Sequence, residues 1–175
     1  RALKRTALGK FRRDLIDHVF QYGSEDDVPV AGDWNGDGVT NVGVFRDGAW
    51  YLDADGDGRW SAGDVYLELG RKGDVPVVGD WNGDGTAELG VYRNGTWYLD
   101  TSGDRLLDAR DKVFRLGEPG DVPVVGDWNG DGVDEIGVYR PGATEGRKPA
   151  EAEAAPSSES DAGEEIAGTP PAPVK

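Results

Sequence analysis

The 175-residue chain has no cysteine, no methionine and a single histidine, His18. Without cysteine there is no disulfide framework, no thiolate metal site and no cysteine nucleophile. One histidine leaves Ser–His and Cys–His catalysis almost no material. A chain that lacks methionine and starts at Arg1 is expected to be a processed or excised piece. Positive charge is scarce too: 19 Lys+Arg stand against 34 Asp+Glu, a formal net charge of −15. A phosphate backbone would be repelled, so nucleic acid is not an expected partner. No apolar run approaches the ~20 residues of a membrane-spanning helix, and no cleavable signal core is visible.

What is abundant is glycine, 28 residues, together with acids, and neither is evenly spread. Residues 1–13 form a basic stretch carrying Arg1, Lys4, Arg5, Lys10, Arg12 and Arg13 with no acid. Leu3, Ala7, Phe11 and Leu15 repeat at spacing four, the pattern of an amphipathic helix, although a solvated connector or a divergent blade remnant is the preferred reading. Residues 143–175 contain five prolines and seven acids, with Ile166 and Val174 as the only large apolar side chains. Such a composition cannot bury enough surface to offset its ordering entropy, and a disordered acidic tail is expected.

Between these ends, residues 14–142 repeat. Asp27–Gly38 reads DVPVAGDWNGDG, and Asp74–Gly85 and Asp121–Gly132 both read DVPVVGDWNGDG, at a period of 47 residues. Val42-Gly43-Val44-Phe45-Arg46 recurs as Leu89-Gly90-Val91-Tyr92-Arg93 and Ile136-Gly137-Val138-Tyr139-Arg140; Trp50-Tyr51-Leu52-Asp53 recurs once, at Trp97–Asp100. Each period divides into four short extended segments, in the second copy Val75–Gly79, Ala87–Arg93, Thr96–Leu99 and Lys112–Leu116. In the fourth, Phe20, Leu67 and Phe114 share one register with Tyr22, Leu69 and Leu116, while Gln21, Glu68 and Arg115 alternate with them, as in a strand with one buried face. Pro29, Pro76 and Pro123 put the first segment at a sheet edge, because proline removes a ladder donor. Four strands in about 45 residues is the arithmetic of a β-propeller blade. The expected fold is all-β: antiparallel four-stranded blades of a partial propeller, about 2.5 repeats, with eleven strands grouped one, four, four and two. Three blades are too few for a ring, so the open ends, with side chains such as Val138 and Phe20, are expected to favour self-association.

The glycine loops carry the chemistry. Asp33, Asn35, Asp37 and Asn41 stand at positions 1, 3, 5 and 9, matched by Asp80, Asn82, Asp84 and Glu88 and by Asp127, Asn129, Asp131 and Glu135. Alternate spacing directs successive oxygens to one point, and a carbonyl at position 7 (Val39, Thr86, Val133) can complete the shell. Hard oxygen ligands suit Ca2+; zinc would want His or Cys, and magnesium fewer protein ligands. Position 12, acidic in an EF-hand, is Val44, Val91 or Val138. The same residues also favour plain tight turns, but three copies that keep their oxygens favour a metal. Asp53, Asp55, Asp57 and Asp64 form a second loop with EF-hand spacing, decayed in the next copy to Asp100, Ser102, Asp104 and Asp111.

The DWNGDG loops, the Gly-Val-Tyr-Arg strands and the period resemble FG-GAP/VCBS-type repeats of bacterial surface proteins, which are similar to the calcium-binding blades of integrin α-subunit propellers. The resemblance covers roughly Asp14–Gly142. It implies an extracellular or cell-surface, Ca2+-stabilised module for adhesion or recognition of a protein or glycan, or an accessory region of a secreted hydrolase. Two departures stand out: position 3 is Asn rather than Asp, and the repeats are too few to close. A glycosidase-type carboxylate pair is conceivable among so many acids, yet the repeated loops account for most of them, so no catalytic role is expected. Trp34, Trp81, Trp128, Trp50 and Trp97 recur with the period and read as packing between blades. Trp60, replaced by Leu107 in the next copy, is the candidate for an exposed ligand contact.

Overall fold

The computed structural model describes residues 22–142 and the short segment Glu153–Ala154. The basic stretch, His18, Phe20 with its expected strand, and the rest of the tail lie outside the described residues. Every regular element among the described residues is a β-strand. Strands β1 (Val28–Gly32), β2 (Asn41–Arg46), β3 (Ala49–Leu52) and β4 (Val65–Glu68) form one antiparallel sheet in sequence order. β5 (Val75–Gly79), β6 (Glu88–Arg93), β7 (Thr96–Leu99) and β8 (Lys112–Arg115) repeat that order in a second sheet, and β9 (Val122–Gly126) with β10 (Glu135–Tyr139) begins a third. The grouping four, four and two matches the repeat. The eleventh strand differs: β11 (Glu153–Ala154), inside the tail expected to lack structure, pairs with β8 opposite Arg115 and Phe114. Its two residues cover part of an outer edge that would otherwise leave backbone groups unpaired.

Local chemistry explains the hairpins. Asp47-Gly48 and Asn94-Gly95 join β2 to β3 and β6 to β7, and all four residues have positive φ (51°, 101°, 48° and 87°). Two such residues in succession make the turn whose twist matches a hairpin, and Asp-Gly and Asn-Gly tolerate it best. The proline-bearing strands β1, β5 and β9 each lie at a sheet edge, as their missing donors require, and successive first strands lie beside one another.

The core forms between sheets rather than within them. One cluster joins Trp34, Phe45, Trp50, Leu52 and Leu69 of the first sheet to Leu89 and Val91 of the second. The next joins Val77, Trp81, Tyr92, Trp97 and Leu99 to Val125, Ile136 and Val138 of the third. Val138 is therefore packed inward, not displayed at an open end as its position suggested, because its side of β10 faces back onto the preceding sheet. The opposite side is the open one. Tyr92 is 3% exposed and its counterpart Tyr139 60%; Trp34 and Trp81 are 1% and 8% exposed and Trp128 58%. These residues have near-identical neighbours in sequence and differ only in whether another sheet follows.

A clasp that the sequence reading overlooked recurs in all three repeats. Arg46, Arg93 and Arg140, at the ends of their strands, each donate Nε and Nη2 to both oxygens of Asp27, Asp74 and Asp121 at 2.5–2.7 Å. The same aspartates accept backbone N–H bonds from Ser24, Arg71 and Glu118, so each acid ties the incoming turn to the second strand. Bidentate geometry gives such a pair direction as well as attraction.

The burial contrast among equivalent tryptophans predicts unequal mutational costs. Trp34→Ala should lower unfolding free energy by about 3–5 kcal/mol through a core cavity, whereas Trp128→Ala should change it by less than about 1 kcal/mol. Urea titration of both variants checks this, and equal losses would contradict it.

Candidate metal centres

Each DWNGDG loop is folded around its first aspartate. Asp80 accepts backbone N–H bonds from Gly83 (2.6 Å), Asp84 (3.1 Å) and Gly85 (2.8 Å). Asp127 accepts the same set from Gly130, Asp131 and Gly132. Asp33 accepts from Gly36, Asp37 and Gly38, with a longer bond from Asn35. The glycines at positions 4 and 6 have φ between 74° and 88°, a region that side-chain-bearing residues rarely adopt. Burial works against ionisation of Asp33, but the N–H groups of Gly38, Gly36, Asn35 and Asp37 outweigh it and hold the carboxyl below its usual range. At Asp127 the N–H of Gly132, then that of Gly130, lowers it likewise. Position 5 is held in the same fashion: Val39, Thr86 and Val133 donate their N–H to Asp37, Asp84 and Asp131.

The structure brings some of the expected ligands together and uses others differently. Carboxylate oxygens of Asp80, Asp84 and Glu88 lie within 4.8 Å of one another, as do those of Asp127, Asp131 and Glu135. The first loop has only two carboxylates, Asp33 and Asp37, because position 9 is Asn41. The position-3 asparagines act as bridges. Asn82 accepts from the Asp84 N–H through Oδ1 and donates Nδ2 to Glu88, and Asn129 does the same toward Asp131 and Glu135. Asn35 accepts from the Asp37 N–H and donates to Asp37 Oδ2 and to the Ala54 carbonyl.

Glu88 is the most confined of these acids, 4% exposed, with Trp81 N–H on one oxygen and Asn82 on the other. Burial, and then the charges of Asp84, Asp80 and Asp100, push its pKa up to about 7. A third negative charge in this cluster is thus costly without a counter-ion. The donor set of two or three carboxylates on a loop, with no nitrogen or sulfur, fits a hard cation such as Ca2+. Beside it, a cavity of about 160 Å³ is lined by Trp34, Thr86, Glu88, Asp100 and Arg105 among others.

The loops also hold one another. Ala87 N–H donates to the Asp33 carbonyl and Asp134 N–H to the Asp80 carbonyl, both at 2.8 Å. Asp134 additionally accepts from Asp80 N–H. The three loops therefore form a ladder along one end of the sheets, a relation between repeats that no single copy announces.

In the second type of loop, oxygens of Asp53, Asp55 and Asp57 lie within 4.8 Å of one another. Asp64 accepts from the N–H groups of Ala54 (3.0 Å) and Ser61 (2.6 Å), clasping the loop. In the decayed copy, Arg110 donates to both Asp104 and Asp108, and Asp100 is fully hydrogen-bonded by Ser102, Gly103 and Arg105. Trp60 does not stand free: it is half-buried, its ring edge-on to Tyr51 at 5.5 Å. Comparison with protein-family models, curated proteins and solved structures returns no match to this chain.

The raised Glu88 pKa gives a pH signature. In chelator the folded state holds a proton that the unfolded chain releases near its ordinary value of 4.5, so stability should fall as pH rises from about 4.5 to about 7. Glu88→Gln should remove most of that slope, and Ca2+ should flatten it by favouring the ionised carboxylate. Thermal melts from pH 4 to 8 check this; a slope of opposite sign would contradict it.

Proposed function

We propose that the repeats are blades of a calcium-stabilised, propeller-type module that recognises a protein or glycan outside the cell, with Ca2+ structural and no catalytic role. The observation that carries this reading is the cluster Asp80, Asp84 and Glu88, repeated at Asp127, Asp131 and Glu135. Three acids drawn together on a loop repel one another, and a divalent cation would relieve that repulsion. Asp33, Asp37 and Asn41 would hold a weaker equivalent, with one charge fewer.

The edge placement of β1, β5 and β9, side by side at successive sheets, supports the propeller reading, since the innermost strand of each blade lines a common axis. Loops with two or three carboxylates and partial exposure suit the ~10⁻⁴–10⁻³ M affinities of extracellular calcium modules, which cytosolic calcium would not fill. No helix among the described residues is long and apolar enough to cross a membrane. The uncovered side of the third sheet, with Trp128 and Tyr139, has the shape left by a following sheet. That is where this reading places self-association.

If a site binds with a dissociation constant near ~10⁻⁴ M, ~10 mM Ca2+ should stabilise by about 2.7 kcal/mol. Chelation should therefore lower the melting temperature, and Mg2+ should restore little of it. Asp84→Ala should lower the calcium count by one in calorimetry and shrink the calcium-dependent stabilisation. A melting curve indifferent to chelator would end this proposal.

A further inference from the structure

Asp53 is 2% exposed, and its Oδ1 has no hydrogen-bond partner. Oδ2 accepts the Gly58 N–H at 2.9 Å, so half of a buried carboxylate is satisfied and half is orphaned. An ionised oxygen left this way is costly unless something positive meets it. The next repeat shows what satisfaction looks like. There the equivalent Asp100, also fully buried, receives Ser102 Oγ and Gly103 N–H on Oδ1 and Arg105 N–H on Oδ2.

The difference is chemical. Position 3 of the loop is Ser102 in one copy, which donates, and Asp55 in the other, which only accepts. Asp55 therefore adds a charge where Ser102 supplied a proton. Its oxygens take the Asp57 N–H and the Ser61 hydroxyl, and neither it nor Asp57 can donate to Asp53. Gly63 contributes room: a Cβ there would lie 2.4 Å from Asp55 Oδ2. In the second copy the corresponding residue is Arg110, whose guanidinium sits on Asp104 and Asp108. One loop carries a built-in cation; the other has three clustered carboxylates, an orphaned oxygen and no side chain in that place. The Tyr22 hydroxyl is also buried without a partner.

We propose that Asp53, Asp55 and Asp57 hold a Ca2+ ion in a site separate from the DWNGDG loops, and that Arg110 takes the place of the ion in the following repeat. Oxygen-only ligands at positions 1, 3 and 5, with glycines of φ 72° and 73° at positions 4 and 6, favour Ca2+ over zinc. Asp64 shapes the loop through Ala54 and Ser61.

The test is Ca2+ titration of the full chain by calorimetry after removal of bound metal. Asp55→Ser, which copies the residue natural to the second repeat, should remove one equivalent or weaken it tenfold or more, and Asp53→Asn should do the same. Asp104→Asn, in the arginine-filled loop, should leave the count unchanged. An unaltered count and affinity in both Asp55→Ser and Asp53→Asn would overturn the proposal, as would Mg2+ binding there as tightly as Ca2+. The DWNGDG loops report separately through Asp84→Ala: if that variant keeps the full count while Asp55→Ser loses one, the second-loop site stands without them.

Discussion

The packing of one sheet's face against the back of the next is the constraint on which the other features rest. A four-stranded sheet of short strands has an apolar side it cannot bury alone, and here the side chains that need cover are large: Trp34, Phe45 and Trp50 in one repeat, Trp81, Tyr92 and Trp97 in the next. The indoles of Trp34 and Trp81, at loop position 2, lie between their own sheet and the following one. The same packing brings the loops into line, because the strands that carry them are stacked. The backbone bonds from Ala87 to Asp33 and from Asp134 to Asp80 are consequences of that alignment. Where no further sheet follows, the same tryptophan lies open.

Electrostatics is solved locally, repeat by repeat, and in three ways. Asp27, Asp74 and Asp121 are neutralised by arginine forks from the neighbouring strand. The first aspartates of the glycine loops are solvated by backbone N–H groups in place of water. A residual group of carboxylates, Asp80 with Asp84 and Glu88, Asp127 with Asp131 and Glu135, and Asp53 with Asp55 and Asp57, has neither remedy in full. Their concentration at the loop end of the sheets is what gives a cation something to do. The acidic loops thus divide into those satisfied by protein groups and those whose clustered carboxylates could hold a metal ion.

This division bears on how such a chain could tune its metal content. Between the two copies a position-3 carboxylate is exchanged for a hydroxyl and a glycine for an arginine, and the strands around the loop are unaltered. The strands on either side, β3 and β4 in one repeat and β7 and β8 in the other, keep the same register: Trp50 opposite Leu67 and Trp97 opposite Phe114.

Much of this was legible from residue order alone, because the determinants are local. Period-two alternation, proline at the first strand of each repeat and the 47-residue recurrence depend on neighbours in sequence, and they located the strands to within a residue or two. The loop spacing likewise named Asp80, Asp84 and Glu88, and Asp53, Asp55 and Asp57, as groups that converge, since a tight glycine turn directs alternate side chains inward whatever surrounds it. What residue order could not decide depends on partners far along the chain. The role of Asp27, Asp74 and Asp121 needed the arginine nineteen residues later to be folded back beside them. The bridging role of Asn82 and Asn129 needed the orientation of an amide, and the packing of Trp60 needed Tyr51 across the hairpin. The orphaned oxygen of Asp53 and the satisfied one of Asp100 occupy equivalent places in nearly the same sequence. Only folding, by burying both carboxylates and supplying donors to one of them, makes them different.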